Sequence, residues 1–118
     1  MKTVIESKLR EEVLAHWRGA DAKVWMFHAT HRRLALVLSR PNEPEVIYVV
    51  ANGCEYISGP ICWKASDVSI HCLTGNAEEP NCRVVDSAAG FTLICYDAVV
   101  VKAPATEFPT SFDSFLES

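Results

Sequence analysis

The run Asn52-Gly53-Cys54-Glu55-Tyr56-Ile57-Ser58-Gly59-Pro60-Ile61-Cys62-Trp63-Lys64 joins the most apolar part of the chain to a series of shorter, alternating segments. Asn-Gly favours a turn because both residues tolerate positive φ, and Gly-Pro interrupts a ladder because proline has no N–H to donate. The run reads as a turn at Asn52-Gly53, a short strand from Cys54 to Ser58 and a break at Gly59-Pro60. Trp63 then opens the next strand. No catalytic or cofactor motif lies within it.

Upstream of this run, Val46–Val50 and Leu34–Leu38 carry no polar alternation. Both are therefore placed at the centre of a sheet and covered on both faces. Pro41-Asn42-Glu43-Pro44 turns the chain between them. Lys23–Ala29 is a bulky, aromatic strand, joined to Leu34 by the polar hairpin turn Thr30-His31-Arg32-Arg33. Before it, Thr3–Arg18 reads as an amphipathic helix. Thr3 and Glu6 have capping-box spacing, Ile5, Leu9, Val13, Leu14 and Trp17 form one stripe, and Gly19 supplies the stop. On this reading Leu9 belongs to the core, and Leu9→Ala costs roughly 2–5 kcal/mol.

Downstream, Asp67–Leu73 alternates, with Val68, Ile70 and Cys72 on one side and Asp67, Ser69 and His71 on the other. Gly75–Asn81 is an acidic loop. Cys82–Asp86 and Phe91–Tyr96 form a hairpin around Ala88-Ala89-Gly90, and Ala98–Lys102 is a last strand. The tail 103–118 holds Phe108, Phe112, Phe115 and Leu116, with Ser111 placed to cap one helical turn. Short connections exclude a parallel sheet, so the expected fold is α+β: one N-terminal helix on about seven mostly antiparallel strands. Strong curvature, up to closure into a barrel, is compatible with this pattern. All of 1–118 is expected to form a single globular domain, its aromatic tail docking on the domain itself or on a partner.

A chain of 118 residues that is 49% apolar and 22% charged can bury a core and is not disordered. Its net charge of −4 disfavours a general nucleic-acid binder. Charge is unevenly distributed: residues 1–40 carry eight Lys/Arg and four acids, whereas 41–118 carry three bases and eleven acids. The asymmetry marks opposed docking faces, or two halves that interleave in space and neutralise each other. The N-terminal sequence is charged every few residues without an apolar signal core, and no apolar run approaches the roughly 20 residues of a membrane span. The expected location is the cytoplasm, where an odd set of five cysteines reads as reduced thiols.

Those cysteines, at 54, 62, 72, 82 and 95, contain no Cys-x-x-Cys pair. His71 and Cys72, as strand neighbours, point to opposite faces, so a metal site is not expected. Cys54 and Cys62 flank turns but have no helix N-terminus beside them to favour a thiolate. His28, His31, Arg32 and Arg33 form a cationic cluster suited to an anion, or else a solvated hairpin tip. Nucleophile-elbow, phosphate-loop and dinucleotide motifs are absent.

These features favour a non-catalytic interaction module, an adaptor or immunity-type inhibitor, that needs no cofactor and binds a protein partner through a basic patch on that partner. Its binding residues are then the acids Glu55, Asp67, Glu78 and Glu79 with the aromatics Trp63, Phe112 and Phe115. Homodimerisation is compatible with the same surface; nucleic acid and membrane are not expected partners. One alternative is a small-ligand or small-molecule enzyme domain with its pocket between helix and sheet. A second is a thiol- or metal-dependent protein using Cys54, Cys62 and His71.

Overall fold

The two wholly apolar runs pair with each other at the middle of a sheet. In the computed structural model, which describes residues 3–73 and 80–106, ten strands and one short helix are formed. The strands are β1 (Thr3–Ile5), β2 (Asp21–His28), β3 (Arg33–Ser39), β4 (Glu45–Asn52), β5 (Tyr56–Ser58), β6 (Cys62–Trp63), β7 (Ser69–Cys72), β8 (Cys82–Asp86), β9 (Phe91–Cys95) and β10 (Asp97–Pro104). A 3₁₀ turn (Ser7–Leu9) leads into helix α1 (Arg10–His16). The fold is α+β with every strand pairing antiparallel, as the short connections require.

The expected single sheet is in fact two. One has six strands in the order β1-β10-β4-β3-β2-β6, and the other has four in the order β5-β9-β8-β7. The turn anticipated at Asn52-Gly53 is where they separate. The β4–β10 ladder ends at Asn52↔Asp97, Tyr96 N donates to Asn52 O at 3.0 Å, and Glu55 N donates to Ile94 O at 2.8 Å. The β5–β9 ladder then begins at Tyr56↔Ile94. One two-stranded ribbon thus passes from the first sheet into the second. Gly53 sits at the crossing with φ +65, and a Cβ there would lie 2.8 Å from the Tyr96 ring.

The main core lies between the sheets. Leu34, Leu36, Ile47, Val49 and Val100 from the larger sheet meet Val84, Phe91 and Leu93 from the smaller one. Helix α1 continues the smaller layer beyond β7, contributing buried Leu14, with Trp17 at its C-terminal end. Its final carbonyls are held by Arg40, whose guanidinium donates to His16 O and Arg18 O at 3.0 and 2.6 Å and stands over the Trp17 ring. This satisfies acceptors that an α-helix leaves open at its end. Gly19, at φ +92, ends the helical segment as its position suggested.

The N-terminal segment departs from the expected long helix. Thr3–Ile5 pairs with Val100–Lys102 as an edge strand, because a β-branched Thr-Val-Ile run gains more from a ladder than from helical backbone. Thr3 and Glu6 form no capping box; Glu6 precedes the 3₁₀ turn without a side-chain cap bond. Of the expected stripe, Leu14 and Trp17 are buried and Ile5 and Val13 are partly buried, but Leu9 is 42% exposed. Leu9→Ala is therefore expected to cost less than about 1 kcal/mol and Leu14→Ala about 2–5 kcal/mol. Chemical denaturation of both variants checks the reversal; equal losses would return Leu9 to the core.

Candidate functional site

The sequence segment 55–62 is also the most exposed apolar segment of the described protein. Tyr56, Ile57 and Ile61 are 54%, 46% and 74% exposed, and Phe27 on β2 is 56% exposed. β5 lies at the edge of its sheet, paired on one side with β9. Ile61 O accepts from Val24 N at 2.7 Å, so the segment crosses to the edge of the larger sheet, where β6 pairs with β2. Its other end is anchored by Arg32, which donates to Glu55 at 2.6 Å while its carbonyl accepts from Cys54 N. An exposed apolar edge strand is a liability unless a partner uses it.

Of the acids expected to bind a partner, the two that are described are engaged within the chain. Glu55 pairs with Arg32, and Asp67 with Arg18 at 3.0 Å. In both pairs the base comes from residues 1–40 and the acid from 41–118, so the two halves interleave and neutralise each other at these contacts. Glu78, Glu79, Phe112 and Phe115 lie outside the described residues. Trp63 is tied into the fold: its Nε1 donates to Asp86 Oδ2 at 2.8 Å and its ring packs on Phe91 with centroids 4.8 Å apart.

The cationic cluster sits at the β2–β3 tip. His28 and His31 stack with ring centroids 4.9 Å apart, and His31 N donates to His28 Nδ1 at 3.3 Å. Arg32, at φ +50, pairs with Glu55, and Arg33 opens β3. The hairpin tip is thus tied to the crossing ribbon through Arg32.

A second locus is a cleft of about 200 Å³ between α1 and β7, at the helix–sheet boundary where the alternative sequence reading put a pocket without saying which residues line it. Arg10, Arg18, Asp67, Ser69 and His71 line it, with Ser69 Oγ 3.0 Å from His71 Nε2. The i, i+2 spacing that placed Ser69 and His71 on one strand face was legible; the helix beside them was not. Arg10 is already bonded to Ala98 O and Arg18 to Asp67.

The cysteines require a correction. Cys72 and Cys82, expected as reduced thiols, are joined by a disulfide linking β7 to β8. Leu73 N donates to Asn81 O at 2.9 Å, so the adjacent pair Cys72↔Cys82 is a non-hydrogen-bonded one, where opposed side chains come closest. A disulfide is the chemistry of an oxidising compartment and weighs against the cytosolic reading. Closing this loop of ten residues' separation is worth roughly 2–3 kcal/mol. Cys54, Cys62 and His71 lie on different elements, and among the described residues no three His, Cys, Asp or Glu side chains converge.

The remaining thiols differ in reactivity. Burial pushes Cys95 from an ordinary 9.0 up to about 12, reinforced by the neighbouring Cys54 thiolate. Burial also pushes Cys54 up, to about 11, against the pull of Arg32. Because the thiolate is the nucleophile, brief alkylation near pH 8 should label exposed Cys62 first and leave Cys95 untouched until unfolding. Peptide mass mapping reads the order; early labelling of Cys95 would refute it. The linkage sign follows. Both folded pKa values are raised, so above about pH 9 the unfolded chain releases protons that the folded chain retains, and stability falls up to about pH 12.

No protein-family model, curated protein or solved structure matches this chain.

Proposed function

We propose that this chain is a non-catalytic protein-interaction module, of the adaptor or immunity-inhibitor kind, that docks a protein partner on segment 55–62. The observation that carries this is the exposure of Tyr56, Ile57 and Ile61 together on one edge segment. Burying aromatic and aliphatic anchors supplies most of the affinity of an interface, and an open edge offers backbone hydrogen bonds as well. The net charge of −4 favours a partner with a basic surface. Since Glu55 and Asp67 are already paired, this charge acts through long-range steering rather than through those two contacts. Co-purification from the native source with the parent chain and with Ile57→Asp/Ile61→Asp tests the assignment. The double variant, its fold verified by circular dichroism, should lose the partner that the parent retains. Unchanged recovery would remove the edge from the interface. An association rate flat from low to high salt would remove the basic partner while leaving the apolar contact.

The Ser69–His71 pair in the α1–β7 cleft favours a second reading, a small-ligand pocket between helix and sheet. A hydroxyl beside an imidazole, in a cleft lined by Arg10 and Arg18 as well as by Glu11 and Asp67, suits a small polar ligand that carries an anionic group. On this reading a panel of small carboxylates and phosphates raises the melting temperature of the parent but not of Ser69→Ala/His71→Gln. No shift with any of them would remove it.

A further inference from the structure

Three cysteines stand in one row across the smaller sheet. Cys72 on β7 is opposite Cys82 on β8, and Cys82 is opposite Cys95 on β9. Directly opposed residues of antiparallel strands project to the same face. Here that face is the core: Cys82, Val84 and Asp86 are buried with their partners Cys95, Leu93 and Phe91. The disulfide joins the first two sulfurs of the row, and Cys95 holds the third as a free thiol. Cys72 is exposed at the outer end, on an edge strand.

The spacing between Cys82 and Cys95 suits a disulfide as well. Leu73 N donates to Asn81 O, so the backbone groups of Asn81 turn towards β7 and those of Cys82, the next residue, turn towards β9. Cys82 and Cys95 are therefore a hydrogen-bonded pair, with Cα atoms about 5.5 Å apart. Disulfides span Cα separations of about 4.4–6.8 Å. Cys95 also reaches Cys82 from the side opposite Cys72, the direction from which an attacking thiolate displaces a sulfur leaving group.

We propose that Cys72 is a latent surface thiol, released when the disulfide passes from Cys72–Cys82 to Cys82–Cys95. The Cys95 thiolate attacks Cys82 Sγ; the Cys82–Cys95 bond forms as the Cys72–Cys82 bond breaks, and the electron pair leaves on Cys72 Sγ. Cys95 gives its proton to solvent and Cys72 takes one up. One disulfide and one thiol are present before and after, so no oxidant or reductant is consumed. Burial holds Cys95 in its protonated form, which makes the step slow, while the same high basicity makes its thiolate the stronger nucleophile. The product carries an exposed thiol beside Leu73, itself 75% exposed, where a small disulfide or a partner's cysteine can reach it. The row is separate from segment 55–62, and this assignment does not rest on that one.

Trapping the released thiol tests it. The purified parent chain, folded throughout, is held at pH 8 with N-ethylmaleimide for about a day, longer than the minutes to hours of uncatalysed disulfide rearrangement. It is then quenched in acid and digested without reduction. The expected result is a loss of the Cys72–Cys82 peptide matched by equal gains of labelled Cys72 and of a Cys82–Cys95 peptide. An unchanged Cys72–Cys82 peptide, or labelled Cys72 without the Cys82–Cys95 link, would overturn the proposal; so would a Cys54–Cys95 link in its place. As a second measurement, Cys72→Ser treated with oxidised glutathione should form the Cys82–Cys95 disulfide within one chain. Free or glutathione-capped Cys82 and Cys95 in that variant would also overturn it.

Discussion

Asp86→Ala is expected to destabilise the protein by roughly 3–5 kcal/mol, among the largest effects of any single polar substitution. Asp86 is 1% exposed, and its carboxylate accepts three hydrogen bonds. Oδ2 takes Trp63 Nε1 at 2.8 Å and Asp67 N at 2.7 Å, while Oδ1 takes Ala89 N at 3.2 Å. The residue therefore ties β6, the approach to β7 and the β8–β9 turn to one point. Alanine would strand these donors in partly buried surroundings, and an unmade bond there costs more than a satisfied one gains. Asp86→Asn keeps one oxygen, which can still serve Trp63 and Asp67, and is expected to lose only about 1–2 kcal/mol. Denaturation of both variants, with Trp63→Phe as the third corner of a double-mutant cycle, measures the hub. If the alanine variant were no less stable than the asparagine variant, the three bonds would not be holding these segments together.

Gly59→Ala is expected to cost about 2–4 kcal/mol, against about 1–2 kcal/mol for Gly90→Ala. Both glycines have positive φ, +123 and +73, so both variants incur backbone strain. Only Gly59 has no room. A Cβ there would stand 2.6 Å from Gly90 O and 2.8 Å from Phe91 Cα, backbone atoms that cannot rotate aside, whereas nothing lies within 4 Å of the same position at Gly90. The difference between the two variants isolates the close approach of segment 55–62 to the β8–β9 turn. Equal losses would mean that strain alone matters. The contact also bears on function, because Gly59 lies between Ile57 and Ile61, and displacing it displaces the exposed edge.

Local pattern was enough for much of the fold. The unbroken apolar runs at Leu34–Leu38 and Val46–Val50 place β3 and β4 at the centre of the larger sheet with both faces buried, because only doubly covered strands tolerate such runs. Asn52-Gly53 and Gly59-Pro60 mark breaks through their own backbone chemistry. Alternation in Cys82–Asp86 and Phe91–Cys95 is the burial pattern observed on β8 and β9. Periodicity misled at Thr3–Leu9, where ladder pairing with β10, a contact some 97 residues away in sequence, overrode a helical spacing. What depends on distant partners appears only in the tertiary structure. Register alone brings Cys72 opposite Cys82, the ribbon crossing alone divides one expected sheet into two, and Arg18 and Arg32 neutralise acids that read as free. The exposed edge at Tyr56, Ile57 and Ile61 belongs to this class too. These are apolar residues that composition assigns to the core; Tyr56 and Ile57 lie on edge strand β5 and Ile61 in the link between β5 and β6, and only the tertiary structure leaves them exposed.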